Sequence, residues 1–470
     1  MLKPDGLVTP ENVPATRIAD AIRAIVGDRG ILAGDDVRMR SCDPFRQVPA
    51  LSHWLVRPET TDELSRVMKL CSDADQPVVV HGGRTGVSGG AYTSENDIVI
   101  SLERMNRIEE ICPVTNLAVV GAGVTVEQLQ QAAADKDMFY PVDLGSKGTA
   151  TIGGTIATNA GGNRVLRWGM TRQNISGIEA VLTDGTVVNA MNRLLKNNSG
   201  YDIKHFFVGS EGTLGIVTRA VMRLVPMPTS HCAAFVATPD RERLLDLLQS
   251  ARRLSTLSAF EVMWPDYYEI MVRSGTGRDP LELGQYAYIL IEALGYSPEF
   301  DTEVFQEFLE NAYEARLVTD AVIAKSNKEI DDLWRVREGA EILVQDMGSF
   351  VSTDISVDVR MVDAFVEQLR NALKEVYGEV RTATFGHLGD NNIHIALHIG
   401  PATLAEESNI ERILFGIVSE FDGSITAEHG IGQLKREFMP DHKHPGEMRV
   451  MRDVRRALAP GHQINPNVLF

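Results

Sequence analysis

Apolar residues recur at helical and strand spacings through the first half of the chain. Positions three or four apart predict helices, and short apolar runs bounded by polar or glycine residues predict strands. Thr60 or Thr61 can cap the second helix. Short strands that alternate with helices predict an α/β or α+β domain. The pattern predicts helices at Ala15–Val26, Thr60–Asp73 and Val126–Ala134, and strands at Leu55–Arg57, Asp97–Leu102 and Leu117–Val120, with a further buried strand at the start of 77-PVVVHGGRTGVSGGA-91.

The pattern changes around Val225–Ser230, where prolines interrupt the apolar run. Longer amphipathic helices are predicted after this hinge, at Asp240–Leu254 and Glu303–Ala315, and another at Gly446–Ala459. A chain of 470 residues also exceeds the size of one core, which stops growing near roughly 250–300 residues. We therefore divide the chain into residues 1–228, 229–420 and 421–470, with an α+β fold in the first two parts.

Composition narrows the function classes. The net charge of −18 argues against a nucleic-acid or anionic-membrane partner, and an anionic substrate would need a local group of cations. The four cysteines form no CxxC pair, so they predict neither a disulfide framework nor a thiolate zinc site. The sequence has no apolar signal region and no run of about 20 apolar residues, so we expect a cytoplasmic protein without an integral membrane segment.

Three glycine-rich segments lie within 140 residues of one another, at 82-GGRTGVSGGA-91, 148-GTATIGGTIATNAGGNRVLRWG-169 and 209-GSEGTLGIVT-218. Glycine allows tight turns that expose consecutive N–H groups to an anion, although such segments are also common as surface loops. None matches a Walker loop or a GxGxxG fingerprint. Their number and spacing indicate one extended ligand, such as a dinucleotide, along the domain.

Two histidines seven positions apart stand in 386-GHLGDNNIHI-395, and a carboxylate follows in 424-SITAEHGIGQLKREF-438. On a helix His387 and His394 would lie about 10 Å apart, too far for one ion, whereas a loop that enters a strand could bring them together. The two histidines alone are weak evidence for a metal site, because most such pairs are unrelated surface or core residues. With Glu428 the set becomes two imidazoles and one carboxylate, which is typical of a catalytic divalent-metal site with open positions.

The segments 141-PVDLGSKGTATIGGTIATNAGG-162 and 199-SGYDIKHFFVGSEGTLGI-216, followed by GHLGDxNxH and AEHGIG, resemble the FAD-linked D-2-hydroxy acid dehydrogenases. These belong to the vanillyl-alcohol oxidase/p-cresol methylhydroxylase superfamily, and the resemblance runs through nearly the whole chain. It implies a two-subdomain FAD-binding domain in 1–228 and a substrate-binding cap domain with an antiparallel sheet in 229–420. It also implies that 421–470 completes the active site and packs back on the FAD domain.

The resemblance also implies FAD as the cofactor. Residues 82–88 would hold the pyrophosphate, the segment from Pro141 to Gly162 would line the flavin, and His81 precedes the glycines, so we expect non-covalent FAD. The implied cofactor-binding residues are Gly82, Gly83, Arg84, Thr85, Gly86, Val87, Ser88, Pro141, Gly148, Thr151, Ile152, Gly153, Gly154, Ala157, Thr158, Asn159, Gly162, Gly212, Ile216, Val217 and Asn465.

For the chemistry, the resemblance implies His387, His394 and Glu428 as metal ligands, His429 as the general base and Arg337 as the arginine that binds the substrate carboxylate. Zn²⁺ is the first choice, and Mn²⁺ and Fe²⁺ stay open because nitrogen and oxygen ligands select weakly. Without the resemblance, Arg337 would be interpreted as an exposed helix charge. The implied reaction is oxidation of a D-2-hydroxy acid to the 2-oxo acid, with hydride transfer to flavin N5.

The substrate side contains one departure from the relatives that act on D-2-hydroxyglutarate. Ser352 stands where they have a lysine, and Glu341 stands where they have a threonine. D-2-hydroxyglutarate leads as substrate, with D-lactate or another D-2-hydroxy acid as the alternative. A non-catalytic FAD subunit and a lyase, synthase or reductase on the same scaffold are the rival classes. We expect an electron-transfer flavoprotein or a quinone-side carrier as acceptor, and a homodimer.

Overall fold

The computed structural model describes residues 16–275, 280–461 and 463–470. These residues form two compact units. The first unit contains the described residues up to Gly161, together with Met170–Pro226 and His429–Phe470, and the second contains Gly162–Gly169 and Met227–Glu428. The chain therefore leaves and re-enters each unit. Ala15, the expected first residue of the first helix, lies outside the described residues.

The elements of both units are numbered in chain order. The helices are α1 (Thr16–Val26), α2 (Asp35–Arg38), α3 (Thr61–Asp73), α4 (Val126–Ala134), α5 (Ile152–Thr158), α6 (Val165–Trp168), α7 (Lys204–Phe207), α8 (Arg241–Ala251), α9 (Pro265–Arg273), α10 (Pro298–Glu314), α11 (Asn327–Arg337), α12 (Ala340–Met347), α13 (Val362–Tyr377), α14 (Glu407–Glu420), α15 (Met439–His442) and α16 (Pro445–Leu458). The strands are β1 (Ile31–Ala33), β2 (Trp54–Val56), β3 (Val78–His81), β4 (Ile98–Ser101), β5 (Ile108–Cys112), β6 (Leu117–Gly121), β7 (Met138–Phe139), β8 (Ile175–Val181), β9 (Val187–Ala190), β10 (Ile216–Arg223), β11 (Val225–Pro226), β12 (Ser230–Thr238), β13 (Leu257–Met263), β14 (Ala287–Gly295), β15 (Asp320–Ile323), β16 (Val351–Ser356), β17 (Arg381–His387) and β18 (Asn392–His398).

The first unit contains a small sheet of four strands in the order β1-β2-β4-β3. Strands β2, β3 and β4 run parallel, and β1 pairs antiparallel with β2. Apolar side chains of α1 and α3 pack with this sheet around Ile22, Leu64 and Ile98. The α3 helix begins where the side chain of Thr60 accepts a hydrogen bond from the backbone N–H of Glu63 at 3.2 Å. Of the two candidate caps, the structure therefore uses Thr60.

The first unit also contains an antiparallel sheet of five strands, in the order β5-β6-β10-β8-β9. The helices α4 and α5 pack over it, with Leu129 and Ile152 in a common core with Val120 and Ile178. A reciprocal pair of hydrogen bonds between Thr125 and Gln128, a capping box, starts α4. This sheet and its helices fix the position of the second and third glycine-rich segments.

The second glycine-rich segment is helical over α5, although glycine and threonine have low helix propensity. The side chain of Thr151 accepts a hydrogen bond from the N–H of Gly154, which starts the helix. A side chain at Gly153 would stand 2.8 Å from the Cβ of Ala122, so the small residue permits close packing. Asn159 ends the helix in the left-handed conformation at φ 53°. Capping and close packing thus compensate for weak propensity.

The second unit has a seven-stranded antiparallel sheet in the order β15-β12-β14-β13-β17-β18-β16. Directly paired residues in antiparallel strands point to the same side of a sheet. One side therefore carries Phe235, Leu290 and Met263, which form a core with residues of α9, α11 and α12. The same side carries the candidate metal ligands described below.

The segment Gly162–Gly169 belongs to the second unit although it interrupts the first in sequence. Arg164 lies 3.4 Å from the buried carboxylate of Glu292, and Arg167 donates a hydrogen bond to the carbonyl of Thr256. The side chain of Leu166 leaves so little room at Gly389 that an added Cβ there would come within 2.5 Å of it. These contacts hold the segment on the β13 and β14 strands.

The predicted α+β fold class is confirmed. The structure divides the chain between residues 226 and 227 and places residues 421–428 with the second unit. The sequence-based division has its boundary at 228 and assigns 421–428 to the C-terminal segment, and the domain roles stay predictions. Among the described residues, no helix is both long and apolar enough to cross a bilayer.

Candidate functional site

The two histidines of the 386–395 loop converge on one side of the seven-stranded sheet. His387 ends β17, and His394 lies in β18 directly opposite Phe385, two residues before His387. The short turn between the strands brings the two imidazole rings to a centroid separation of 5.4 Å. Glu428 completes the group, because one ligand atom from each of His387, His394 and Glu428 lies within 4.8 Å of the others. His387 and His394 lie on two paired strands and not on one helix, so the separation of about 10 Å expected for a helix does not apply.

A buried carboxylate from a neighbouring strand contacts this group. Glu261 of β13 is 1% exposed, and its Oε1 lies 2.8 Å from Nδ1 of His387. Its Oε2 accepts a hydrogen bond from Nε of Arg337, also at 2.8 Å. The sequence analysis missed Glu261. The available signal was a single carboxylate inside the apolar run 257-LSAFEVM-263, every residue of which is buried.

The electrostatics of the group follow from burial and from three carboxylates around one imidazole. Burial lowers the pKa of His387, but Glu261 and then Glu428 outweigh burial and raise the pKa to about 9. Burial raises the pKa of Glu261, and His387 and Arg337 outweigh it, so the net shift is downward. Burial raises the pKa of Asp390 to about 7, helped by Glu261 and Glu428. Glu261 and Glu428 therefore favour positive charge at the position of His387, which either the protonated imidazole or a bound metal ion can supply.

Glu428 is held by the backbone and by a second buried carboxylate. Oδ2 of Asp354 accepts hydrogen bonds from the N–H of Glu428 at 2.9 Å, the N–H of Ala427 and the hydroxyl of Thr426. The N–H of Gly162 donates to Oε1 of Glu428 at 3.1 Å. Asp354 is fully buried and lies directly opposite His394 in the β16–β18 pair. Sequence reasoning had assigned Gly162 to the cofactor and had given Asp354 no role.

The donor set fits a divalent cation. Two imidazoles and a carboxylate are ligands that Zn²⁺, Mn²⁺ and Fe²⁺ accept, and three protein ligands leave positions for a small molecule. Metal-binding histidines typically donate their second ring nitrogen to a carboxylate, as Nδ1 of His387 can to Glu261. The Nε2 atom of His387 then faces Glu428, with 3.9 Å between Nε2 and Oε2. We find His387, His394 and Glu428 suited to hold a metal ion.

Arg337 is buried rather than exposed on its helix. It is the last residue of α11, its side chain is 7% exposed, and its guanidinium carbon lies 4.8 Å from the centre of the Phe385 ring. The helix is also fixed by the indole N–H of Trp334, which donates to Glu292 at 3.2 Å. The burial of the guanidinium therefore contradicts the interpretation of Arg337 as an exposed helix charge. A buried guanidinium is well suited to bind a carboxylate.

In the first unit, the first and second glycine-rich segments are in contact. A Cβ at Gly83 would lie 2.1 Å from the carbonyl oxygen of Thr149, and one at Gly82 would lie 2.7 Å from Oγ1 of Thr151. Only glycine therefore allows the two segments to approach so closely. Arg84 has a left-handed backbone at φ 55°, and within the described residues its buried Nη1 has no hydrogen-bond partner. A buried N–H without a partner in this loop fits an anionic group such as a pyrophosphate.

The second and third glycine-rich segments also meet. The N–H of Gly209 donates to the carbonyl of Ile156, and the N–H of Glu211 donates to the carbonyl of Ala157 at 2.7 Å. Gly212 has φ 69°, and a Cβ there would lie 2.8 Å from Nδ2 of Asn465. The first and third segments and residues 148–161 of the second segment thus lie in one unit, as a single extended ligand requires, whereas residues 162–169 belong to the second unit. Their contact with FAD stays a prediction.

The remaining residues assigned to the cofactor are spread over this region. Pro141, Thr151, Ile152, Gly153, Ile216 and Val217 are buried, Gly148 is exposed, and Gly154, Ala157, Thr158 and Asn159 are half-buried. In the first loop Val87 is half-buried, Gly86 is exposed, and a Cβ at Gly86 would meet no atom within 4 Å. Thr85 is half-buried, and Gly162 lies in the second unit. The backbone around α5 is therefore partly accessible at Gly154, Ala157 and Thr158.

His429 begins a short segment that the first unit holds through two side chains. The hydroxyl of Ser88 lies 3.0 Å from the carbonyl oxygen of His429 and 2.9 Å from that of Gly430. The carboxylate of Glu211 accepts hydrogen bonds from the N–H groups of Ile431 and Gly432, at 2.8 and 2.7 Å. Sequence reasoning assigned Ser88 to the cofactor and missed Glu211. In the structure both position the backbone that carries His429.

Asn465 links three parts of the first unit. Its Oδ1 accepts a hydrogen bond from the N–H of Val80, its Nδ2 donates to the carbonyl of Glu211, and its own N–H donates to the carbonyl of Val78. Both polar atoms of the side chain therefore have protein partners. A contact between Asn465 and the cofactor stays a prediction.

Comparison with known families assigns the class of protein. Residues 53–191 match the family model "FAD binding domain", and residues 227–469 match "FAD linked oxidases, C-terminal domain". The chain belongs to the FAD-linked oxidases, and it is an FAD-dependent oxidoreductase. This result confirms the resemblance on which the cofactor assignment depended.

Sequence relatives narrow the class of protein further. The chain is 34% identical over 450 residues to a probable D-2-hydroxyglutarate dehydrogenase, mitochondrial, of Oryza sativa subsp. indica, with 94% of this chain and 80% of the relative covered. It is 33% identical to the mitochondrial D-2-hydroxyglutarate dehydrogenase of Bos taurus, with 98% and 87% covered. It is 32% identical to the D-2-hydroxyglutarate dehydrogenase of Stutzerimonas stutzeri, with 88% and 90% covered.

Solved structures support the fold alone. The chain is similar to p-cresol methylhydroxylase with substrate bound, at a TM-score of 0.75 and 16% identity, with 97% of this chain and 98% of the other covered. It is also similar to alkyldihydroxyacetonephosphate synthase, at a TM-score of 0.73 and 15% identity, with 98% and 88% covered. These similarities agree with the predicted two-domain fold.

Proposed function

We propose that the protein is an FAD- and divalent-metal-dependent dehydrogenase that oxidises a D-2-hydroxy acid to the 2-oxo acid. D-2-hydroxyglutarate is the first candidate substrate because the three relatives described above carry that name. The observation that carries the proposal is the cluster of His387, His394 and Glu428, supported by Glu261 and Asp354, in a chain of this family. The cluster counts against a lyase, synthase or reductase on the same scaffold, and a non-catalytic subunit could lose the base, whereas this chain keeps His429.

The residues divide the work between binding and proton transfer. His387, His394 and Glu428 hold the ion, which supplies a Lewis acid that lowers the pKa of a bound hydroxyl. Arg337 binds the substrate carboxylate through the guanidinium nitrogens that Glu261 does not engage. His429 takes the hydroxyl proton, a role suited to imidazole at neutral pH. FAD, held by the glycine-rich segments without a covalent bond, supplies the hydride acceptor.

A second candidate substrate is favoured by the residues near the metal cluster. Ser352 and Asp354 are alternate residues of β16 and therefore lie on one side of the sheet, with Ser352 opposite Ala396. Ser352 and Glu341 are both exposed, and they stand where the relatives that act on D-2-hydroxyglutarate have a lysine and a threonine. At these two positions a dicarboxylate substrate would therefore find a hydroxyl and a carboxylate and no cation. D-lactate, or another D-2-hydroxy acid with an uncharged distal end, is the alternative.

The partners belong to the same proposal. Reoxidation by an electron-transfer flavoprotein or by a quinone-side carrier is proposed because the sequence contains no dinucleotide fingerprint for a nicotinamide. Zn²⁺ as the metal, a homodimer and a cytoplasmic location remain predictions.

The test is anaerobic mixing of the purified protein with D- and L-2-hydroxy acids while flavin absorbance near ~450 nm is followed, since oxidised flavins absorb there. Bleaching by a D- but not an L-acid, lost with a chelator and restored by metal, is expected. Failure of every D-2-hydroxy acid to bleach the metal-loaded protein would refute the proposal. His429→Ala should keep its FAD and lose turnover by about 10²–10⁴-fold.

A further inference from the structure

Glu261 divides its two oxygens between residues with different proposed tasks. Oε1 contacts Nδ1 of His387, a metal ligand, and Oε2 contacts Nε of Arg337, the proposed substrate arginine, each at 2.8 Å. The carboxylate is 1% exposed, so water competes little for either contact. One side chain thus joins the metal cluster to the group that would bind substrate.

Each contact restricts the geometry of its partner. A carboxylate that accepts from Nδ1 of His387 places the proton there and leaves the lone pair of Nε2 for a metal ion. This orientation matches the 3.9 Å separation between Nε2 and the carboxylate of Glu428. The contact at Nε fixes the plane of the Arg337 guanidinium over Phe385 and leaves its terminal nitrogens for a carboxylate.

We infer that Glu261 is a positioning residue that sets the metal-binding tautomer of His387 and the orientation of Arg337 at the same time. The inference rests on the proposed function, because it takes His387 as a metal ligand and Arg337 as the substrate-binding arginine. It adds that metal affinity and substrate affinity both depend on one carboxylate that touches neither metal nor substrate.

A purely structural carboxylate would behave differently, and the same side of the sheet supplies one for comparison. Glu292 of β14 is fully buried and is bonded to His231 at 2.8 Å, Ser258 at 2.7 Å and Trp334 at 3.2 Å. None of these partners is a proposed ligand. Glu292→Gln therefore controls for the loss of a buried negative charge on this sheet.

The substitution Glu261→Gln separates the two tasks. Its amide oxygen can still accept from Nδ1 of His387, but its NH₂ group then faces the N–H donor of Arg337. The opposite orientation would require Nδ1 of His387 to accept and would place a proton on Nε2, which metal binding disfavours. Glu261→Gln should therefore keep much of the metal affinity while it disturbs Arg337. Glu261→Ala should lose both functions.

The experiment measures Zn²⁺ affinity of metal-depleted protein by competition with a chromophoric chelator, for wild type, Glu261→Ala, Glu261→Gln and Glu292→Gln. We expect about 10–100-fold weaker binding for Glu261→Ala, closer to wild-type binding for Glu261→Gln, and unchanged binding for Glu292→Gln. The visible spectrum of the Co²⁺-loaded protein should change in Glu261→Ala alone. In Glu261→Gln, KM for the hydroxy acid should rise by a larger factor than kcat falls.

The outcomes separate the two proposals. Stoichiometric Zn²⁺ binding by wild type with equal affinity in Glu261→Ala overturns the positioning role and leaves the proposed function intact. Equal weakening in Glu261→Ala and Glu292→Gln also overturns it, because the loss would then come from any buried carboxylate of this sheet. No stoichiometric Zn²⁺ binding by wild type removes the proposed metal site and the inference together.

Discussion

The segment that carries His429 is held mainly by Glu211, and removal of this carboxylate should lower both stability and turnover. The carboxylate accepts two backbone hydrogen bonds, from Ile431 at 2.8 Å and from Gly432 at 2.7 Å. Both donors are buried, and burial raises the pKa of Glu211 despite the opposing effect of the two N–H groups. In Glu211→Ala two buried N–H groups would lose their acceptor.

The magnitude follows from the cost of a buried group without a partner, about 1–3 kcal/mol each. Glu211→Ala should therefore lower the free energy of unfolding by about 2–6 kcal/mol, and Glu211→Gln, which keeps one acceptor oxygen, by about 1–3 kcal/mol. Displacement of His429, the proposed base, should lower turnover by about 10²–10⁴-fold. Ser88→Ala removes one hydroxyl contact of the same segment and should cost only about 1 kcal/mol.

The assay combines urea unfolding with steady-state kinetics and FAD content for wild type, Ser88→Ala, Glu211→Gln and Glu211→Ala. The stability losses should increase in that order, and turnover should fall most in Glu211→Ala while the folded fraction still binds FAD. Wild-type stability and turnover in Glu211→Ala would refute the assignment of Glu211 as the anchor of this segment.

Three further predictions concern acid stability, substrate choice and a close backbone contact. Burial raises the pKa of Glu292, but Arg164 and His231 outweigh it and lower the pKa from 4.5 to about 2, so its contribution is present above pH ~4.5 and is lost as pH falls toward 2. Glu292→Gln should thus lower the free energy of unfolding by on the order of 3 kcal/mol at pH 7. Urea unfolding should show that the difference between variant and wild type shrinks between pH 4.5 and 2. A difference that stays constant over this range would contradict the lowered pKa. Ser352→Lys should raise kcat/KM for D-2-hydroxyglutarate relative to D-lactate by about tenfold, as one charge-assisted hydrogen bond provides, and an unchanged ratio would place the distal carboxylate elsewhere. Gly432→Ala should fold poorly, because its Cβ would lie 1.9 Å from the carbonyl oxygen of Ser88 at a φ of 56°, and thermal unfolding equal to wild type would disprove that contact.

The elements were predictable where local pattern decides them. The helix predicted at Val126–Ala134 is observed with those bounds. The strand predicted at Leu117–Val120 is observed one residue longer, at Leu117–Gly121. Apolar periodicity and a threonine cap suffice for such elements. The helix at Ile152–Thr158 was harder to predict from the sequence, because its glycines pack closely against Ala122. Local helix propensity does not include such a contact.

The candidate site was predictable only for residues with a distinctive spacing. His387, His394 and Glu428 stand in short motifs, and the structure brings them together. Glu261 is an ordinary strand glutamate whose partners lie 126 and 76 positions away in sequence. No local pattern connects such residues. A lone carboxylate inside an apolar strand does indicate that a positively charged group is buried beside it, because an unpaired buried charge is costly.

The discontinuity of the first unit has a consequence for biosynthesis. The amide of Val80 finds its acceptor in Asn465, 385 positions later, and Ile464 completes the core beside β3. On the ribosome, residues 227–428 of the second unit emerge before Ile464 and Asn465 do. Until then the edge of β3 lacks the contacts that these two residues provide. The hydrogen bonds of Asn465 with Val80 and Glu211 can therefore form only after residue 465 has been translated, so the proposed flavin-binding unit is completed late in synthesis.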